Sequence, residues 1–376
     1  MTDSPTTLRI ALDAMGGDFA PAAVVEGAAA AVRELGLPLR VLLVGDEPRI
    51  RAELGKVGKL PAGSIEVRHA SQVVEMDEHP GQAMRQKKDS SLRVCFELCK
   101  RGEADAMVSA GNSGACMAGA VFVLGRLPDV ERPAIAAVLP SLKGRTLLLD
   151  AGANTECKPV HLVQFALMGE VYARRMLGVE RTRLAILANG EESSKGTDLT
   201  RAAAGALRGF GPAFAGYAEG KDIFGGEIDV AVTDGFTGNV VLKTAEGCAQ
   251  ALLQLMRRNV EASLVATAGM ALARPALRRF KATIDWDEYG GAPLIGVDGV
   301  GIVAHGRSGP KAIRNAVRVA AEAAAVGMSQ ELTEAARRGL ELCGGKRSTR
   351  GNGKRAAGDT RPAPEARPEA DDAERS

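Results

Sequence analysis

Short apolar, β-branched runs alternate with longer stretches in which apolar residues recur every third or fourth position, and the alternation holds from Leu8 to Ala304. Runs of the first kind suit strands buried on both faces; stretches of the second kind suit helices laid over them. The pattern predicts strands at Leu8–Asp13, Leu39–Val44, Ile65–His69, Ala104–Ser109, Ile135–Leu139, Thr146–Asp150, Leu184–Leu187 and Ile228–Val232. A last strand pair is expected at Leu294–Val297 and Val300–Ala304 around Asp298-Gly299, before an alanine-rich closing helix from Lys311 to Leu342 that breaks near Gly327. Strands alternating with helices in this way build an α/β domain with a mostly parallel sheet. The pairing order is not readable from the pattern.

A strand that ends in a small or polar, glycine-containing loop and then starts a helix recurs at least five times: Asp13–Asp18, Gly111–Gly114, Ala151–Thr155, Ala188–Asp198 and Asp234–Asn239. At such a junction the first helical N–H groups lack intrahelical partners and the helix dipole is positive, so an anion is stabilised there. In open parallel sheets ligands bind off the carboxyl ends of strands, where these loops would gather. The stretch Lys221–Lys243 is the focus. Its Gly235 and Gly238 are expected to let the backbone approach an anion, with Thr237 or Asn239 capping the helix or reaching the ligand. A plain, well-capped turn accounts equally well for any one of these loops. None is a Walker A loop or a GxGxxG with an acidic residue about 20 positions later.

Composition narrows the classes. A chain of 376 residues, 45% hydrophobic, can bury a large core, and 48 Lys+Arg against 46 Asp+Glu give only +2. Neither that balance nor the 3% aromatic content supports nucleic-acid binding. Cys95, Cys99, Cys116, Cys157, Cys248 and Cys343 form no CxxC pair and no basic-then-apolar leader opens the chain, so a reduced, cytoplasmic setting is expected. His69, His79, His161 and His305 make no metal spacing, and neither a metal nor a cofactor is expected. Ala106–Gly125 is free of charge over about the length of a membrane span, but its Ser109, Asn112, Ser113 and glycines read as a buried strand, a polar loop and a core helix.

Two basic clusters stand out. Arg85, Lys87 and Lys88 precede the helix start Asp89-Ser90-Ser91, and read as a solvated face or as a contact for an acidic partner. In the stretch Leu264–Lys281, Arg274, Arg278 and Lys281 share one helical face while Leu277 and Phe280 share another. That is the pattern of an interfacial amphipathic segment, and equally of a dimer-interface or core hairpin, with breaks expected at Gly269 and Pro275. From Gly344 the composition turns to Gly, Pro, Ala, Arg and acidic residues without periodicity, which predicts a disordered tail over 344–376 after one catalytic domain over 1–343.

With Ala11–Asp18 (ALDAMGGD), Ser109–Ala115 (SAGNSGA), Asp150–Asn154, Gly190–Lys195, Thr233–Asn239 and Glu288–Ala292 in view, the chain resembles the phosphate acyltransferases of bacterial phospholipid synthesis, the PlsX family, collinearly from about Leu8 to Leu342. The resemblance implies a homodimeric, three-layer α/β/α, Rossmann-like fold related to phosphotransacetylases and isocitrate-dehydrogenase-like enzymes, with a protruding helical hairpin at about 255–285. It also implies transfer of a long-chain acyl group from acyl carrier protein to inorganic phosphate, yielding acyl phosphate for a downstream glycerol-3-phosphate acyltransferase. Peripheral membrane association is implied too, which favours the interfacial reading of Leu264–Lys281.

That reaction asks little covalent work of the protein, because phosphate is an anionic nucleophile and a thioester an activated donor. Lys195 and Asn239 are the leading catalytic candidates, as a cation for phosphate or the carbonyl and as an amide donor. Asn112, Ser113, Asn154 and Thr237 are second choices as phosphate or carbonyl donors, beside Gly16, Gly17 and Gly238; Asp13 and Asp234 complete the expected substrate-binding set as groups that orient loops or a lysine. An acidic carrier needs a basic docking surface, either Arg85, Lys87 and Lys88, or Arg257-Arg258 with Arg274 and Arg278 beside Leu277. The helix Ala115–Leu124 or the segment Leu264–Leu277 can line an acyl groove. A short-chain acyl-coenzyme A phosphotransacylase, a dehydrogenase and a non-catalytic membrane scaffold are the alternatives.

Overall fold

The computed structural model describes residues 7–344, so the expected tail lies, apart from Gly344, outside the described residues. The chain opens with β1 (Leu8–Asp13), α1 (Ala22–Glu34), β2 (Leu39–Gly45), α2 (Glu47–Leu54), β3 (Ile65–His69), α3 (Pro80–Gln86), α4 (Ser91–Lys100), β4 (Ala106–Ser109) and α5 (Ser113–Gly119), which continues as a π-helical turn at Ala120–Leu124. An antiparallel hairpin of β5 (Ala134–Ser141) and β6 (Gly144–Leu149) follows. Next come α6 (Pro159–Met176), β7 (Leu184–Leu187), α7 (Asp198–Leu207), β8 (Phe214–Ala218), α8 (Asp222–Gly225) and β9 (Val230–Val232). Three consecutive helices, α9 (Gly235–Glu261), α10 (Leu264–Leu272) and α11 (Arg274–Ile284), precede β10 (Ala292–Ile295), β11 (Gly301–Val303), α12 (Pro310–Val326) and α13 (Ser329–Leu342).

All eleven strands form one sheet in the order β3-β2-β1-β4-β11-β10-β5-β6-β9-β7-β8. Seven of its ten pairings are parallel, which makes it mostly parallel as expected. Alternation along each strand fills both faces. In β1, Ile10 and Leu12 pack with Val24 and Val25 of α1 and Ile313 and Val317 of α12, while Ala11 faces Met84 and Phe96 on the other side. In β6, Leu147 and Leu149 pack on Leu162 and Phe165 of α6, and Leu148 turns the other way. The result is a three-layer α/β/α sandwich.

The topology corrects one expectation. β3, β2, β1, β4 and β11 run in one direction; β6, β9, β7 and β8 run in the opposite one, because the antiparallel pairings of β10 and β5 reverse the sheet between them. The glycine loops therefore gather in two groups, one at the ends of β1, β4 and β11 and one at the ends of β6, β9 and β7. What brings the two groups together is α9, described below.

β8, α3 and α8 are absent from the sequence pattern. β8 reads FAGYA, lies at the sheet edge, and carries Gly216 at φ +100°, so no continuous apolar run marks it. The helical breaks after α9 fall at Ser263, whose hydroxyl accepts from Ala266 N, and at Ala273, and not at Gly269, which lies within α10. Pro275 sits in the first turn of α11, where its missing N–H costs no bond. The uncharged window Ala106–Gly125 resolves into β4, a loop, α5 and the π-helical turn, and no described helix is long and apolar enough to cross a membrane.

The β9–α9 junction is the tightest packing in this part of the fold. Asp234 caps α9 by accepting from Thr237 N at 2.9 Å and Thr237 Oγ1 at 2.8 Å. Gly235 N donates to Asn154 O at 2.7 Å, and a Cβ placed on Gly238 would lie 1.9 Å from the carbonyl oxygen of Asp150. Both glycines are thus needed for the approach of α9 to the neighbouring loop, which fills the space on their Cβ side. Gly238→Ala is expected to destabilise the protein by about 1–3 kcal/mol or more through overpacking. Gly247→Ala, in the same helix with no neighbour within 4 Å of the new methyl, is expected to gain about 0.5–1 kcal/mol. Denaturant unfolding of the two variants measures the contrast, and equal stabilities would refute it.

Candidate functional site

Because β6, β9 and β7 are consecutive neighbours about 4.8 Å apart, their carboxyl-end loops share one rim roughly 10 Å wide. The rim is organised from below by Asp150, whose side chain is fully buried. Its carboxylate accepts from Ile135 N at 3.0 Å, Gly152 N at 3.3 Å, Ala153 N at 3.1 Å, Asn154 N at 2.7 Å and Asn154 Nδ2 at 2.8 Å. Burial pushes this carboxyl above the usual carboxylate value, and the Asn154 amide and the backbone N–H donors pull it back. Asn154 Nδ2 also donates to Pro133 O at 2.8 Å, so this side chain, expected among the ligand donors, ties its own loop to the segment before β5. Thr237 and Asp234 likewise satisfy each other.

Two expected groups do reach the surface of the rim. Asn239 is exposed one turn into α9, and its side chain lies 3.6 Å from where a Cβ on Gly152 would stand. Lys195 is exposed on the β7–α7 loop, which is closed by Lys195 N donating to Glu192 O at 2.9 Å and Gly196 N to Asn189 Oδ1 at 2.8 Å. The structure therefore sets Lys195 on the β7–α7 loop and Asn239 in the first turns of α9, after the neighbouring strands β7 and β9, with no hydrogen bond between them among the described contacts.

The other group of loops has a similar foundation. Asp13 is buried and accepts from Ser109 Oγ at 2.7 Å and Met15 N at 3.2 Å, while Ser109 Oγ accepts from Gly111 N at 3.0 Å. Burial pushes the Asp13 carboxyl up, and hydrogen bonds from Ser91 and Ser109 oppose it. A Cβ on Gly16 would stand 2.7 Å from Asp13 Oδ2, and one on Gly17, at φ +100°, only 3.0 Å from Gly306 O. Asn112 caps α5 by accepting from Ala115 N at 3.0 Å and donates from Nδ2 to Met76 O at 2.9 Å and Glu78 O at 3.3 Å. Ser113, at the first position of α5, is exposed.

Contact between the two groups runs through residues that the sequence pattern did not single out. Lys243 of α9 places Nζ 3.1 Å from Nε2 of His305, in the loop that follows β11, and 2.8 Å from Glu246 Oε2. Lys243 follows Asn239 by one turn and Glu246 follows by about two, so all three share one face of α9. That i, i+4, i+7 spacing was the available signal; nothing in the sequence tied it to His305.

The basic clusters also separate. Lys87 is turned inward, donating to Val73 O at 2.6 Å and pairing closely with Glu78, whereas Lys88 is exposed and Arg85 lies 5.5 Å over the Phe122 ring. Arg274 and Arg278 are exposed on α11 and Leu277 is half-buried. Of the cysteines, Cys157 is nearest the rim, with Sγ 3.5 Å from Asn154 O, but burial pushes its thiol up to about 11 and that of Cys116 to about 12. Neither thiol is a thiolate at neutral pH. Asp150→Asn turns an acceptor into a donor facing N–H groups and is expected to cost about 1–3 kcal/mol while lowering turnover. Unfolding and rate measured on the same sample test this; an unchanged midpoint would contradict it.

Comparison with known proteins gives a consistent answer. A sequence model of the family described as "Fatty acid synthesis protein" matches residues 8–331. A phosphate acyltransferase from Anaeromyxobacter sp. (strain Fw109-5) is 60% identical over 326 residues, 87% of this chain and 90% of the relative. One from Myxococcus xanthus (strain DK1622) is 57% identical over 330 residues, 87% and 93% of the two chains. Among solved structures, a phosphotransacetylase from Streptococcus pyogenes superposes with a TM-score of 0.57 at 17% identity, covering 85% of this chain and 95% of that one. A branched-chain phosphotransacylase from Enterococcus faecalis V583 does so at 0.51 and 12%, over 84% and 99%, which establishes the shared fold. On the sequence matches, the chain belongs to the phosphate acyltransferase family and is an acyltransferase.

Proposed function

We propose that this enzyme moves a long-chain fatty acyl group from acyl carrier protein to inorganic phosphate and releases acyl phosphate. The observation that carries the reading is the rim itself, where exposed Lys195 on the β7–α7 loop and exposed Asn239 in the first turns of α9, a helix seated on the Asp150 loop, follow neighbouring strands, near Cys157, whose thiol stays protonated. Such a site suits direct attack. A phosphate oxygen bonds to the thioester carbonyl carbon, the tetrahedral intermediate collapses, the C–S bond breaks, and the carrier thiolate leaves and takes up a proton. Lys195 neutralises the phosphate or the carbonyl oxyanion, and the Asn239 amide donates to it.

The helices beyond the rim support the remaining parts of the reading. Leu252, Leu255 and Met256 are 62%, 53% and 38% exposed on one stripe of α9, and Val265 and Leu272 of α10 are 83% and 87% exposed. Exposed apolar residues in register call for a partner surface. The α9 stripe pairs two copies of the chain into a homodimer, and the α10–α11 segment, with Arg274 and Arg278, rests on an anionic membrane from the cytoplasmic side. The same arginines are the better placed of the two basic clusters for an acidic carrier, since Lys87 is withdrawn. Acyl phosphate made there passes to a glycerol-3-phosphate acyltransferase.

The test is an assay with palmitoyl-acyl carrier protein and phosphate that follows free carrier thiol and hydroxylamine-trappable acyl phosphate together. Phosphate-dependent appearance of both is expected, and Lys195→Ala or Asn239→Ala should each lower kcat by about 10²–10³-fold without unfolding the protein. Full turnover in the double variant would remove both residues from the mechanism. Thiol release without acyl phosphate would mark a thioesterase, and preference for acetyl-coenzyme A in the same assay a short-chain enzyme. Leu255→Glu is expected to shift the sedimenting species to monomer, and Leu272→Asp to reduce co-sedimentation with phosphatidylglycerol vesicles while the dimer persists. A Leu272→Asp variant that binds vesicles as tightly as the parent would exclude α10 from the membrane contact.

A further inference from the structure

Hydrogen-bond accounting at His305 leaves a donor without an acceptor. Its Nδ1 accepts from Arg307 N at 3.1 Å, and a neutral imidazole has a single lone pair, so the proton sits on Nε2. Nε2–H then points to the Lys243 ammonium 3.1 Å away, which is also a donor. The nearest carboxylate oxygen, Glu246 Oε2, is taken by Lys243 at 2.8 Å and lies 3.8 Å from Nε2, beyond hydrogen-bond reach. Asp18 lies beside Gly306, and Asp287 is also near, its half-buried carboxyl pushed up by burial and by Asp285 and pulled down by Lys311 and His305. Two N–H donors from opposite halves of the sheet thus converge with their outer sides half exposed, at 49% for Lys243 and 50% for His305. One oxygen ligand with several lone pairs, bound between them, would satisfy both.

We propose that Lys243 Nζ and His305 Nε2 form a recognition pair for the phosphate substrate, each donating to a phosphate oxygen. This rests on the acyl-transfer reading above and deepens it. The placement fits the chemistry. Asn239 precedes Lys243 by one helical turn on the same face, about 6 Å away between Cβ atoms, so a phosphate held by the pair lies along α9 from the group that meets the acyl carbonyl. Glu246 holds the ammonium in position through the 2.8 Å contact of its Oε2. His305 comes from the loop that Asp18 N anchors at 2.8 Å through Gly306 O, so the Asp13–Asp18 loop, expected to bind substrate directly, acts here by positioning the imidazole.

The experiment separates phosphate recognition from acyl recognition. KM values for inorganic phosphate and for palmitoyl-acyl carrier protein are measured for the parent enzyme, Lys243→Gln, His305→Phe and His305→Gln, and inorganic phosphate alone is titrated against each by ³¹P NMR. Losing a hydrogen bond to a charged ligand should raise the phosphate KM about 10–100-fold in Lys243→Gln and His305→Phe, with the acyl-carrier KM within about twofold. His305→Gln, which restores an N–H donor, should recover most of the loss. An unchanged phosphate KM in both variants of a parent that makes acyl phosphate would overturn the pair and leave the proposed reaction standing. Equal rises in both KM values, or a fall in kcat alone, would show a structural latch between the two halves and also overturn it. A parent that yields no acyl phosphate would defeat the reaction instead, and the ³¹P titration would still decide whether the pair binds phosphate.

Discussion

The architecture of the site depends on one buried carboxylate. Asp150 sits where water does not reach and is held there by five N–H donors from Ile135, Gly152, Ala153 and Asn154. A charge in that position is tolerated only while its donors are in place, so it fixes the shape of the loop that supplies them. That loop is in turn the surface on which α9 begins, through Gly235 N to Asn154 O and the close approach of Gly238 to Asp150 O. The position of Asn239, and everything further along α9, follows from this contact.

α9 also connects the two groups of loops. The sheet reverses direction between β4 and β6, so the loops of β1, β4 and β11 and those of β6, β9 and β7 would otherwise stay apart. A helix long enough to start on one group and touch the other closes the gap, and Lys243, Glu246 and His305 are where it does so. In the first half Asp13 plays the part that Asp150 plays in the second: a buried carboxylate with hydroxyl and amide donors under a glycine loop. Both carboxylates are inside the protein. They shape the loops above them, while Asn239 and Lys195 stand exposed and Lys243 is paired with Glu246.

Beyond its first turns α9 leaves the core, and only Gly235 and Gly238 of its 27 residues are buried. Its apolar stripe is open to solvent in the single chain, and the packing of such a face is what normally stabilises a surface helix. In α10 Val265 and Leu272 are exposed in the same way, and Arg274 and Arg278 of α11 place positive charge beside them.

Most of the fold was legible in the sequence, because buried parallel strands need apolar runs and surface helices need apolar stripes. β1, β2, β3, β4, β7 and the β5–β6 and β10–β11 hairpins stand where the pattern puts them, and β8 escaped because an edge strand carrying Gly216 needs no such run. The family was legible too, through glycine loops whose spacing survives in sequence. Their roles were not. A strand-end Asn or Asp looks the same whether it meets a ligand or a backbone amide, and only the folded chain shows that Asn112, Asn154, Asp13 and Asp234 are engaged by protein while Asn239 and Lys195 stay open. The reversal of the sheet, and with it the meeting of Lys243 and His305 across 62 residues, was decided by tertiary structure alone, since strand order depends on long-range pairing that no local pattern encodes.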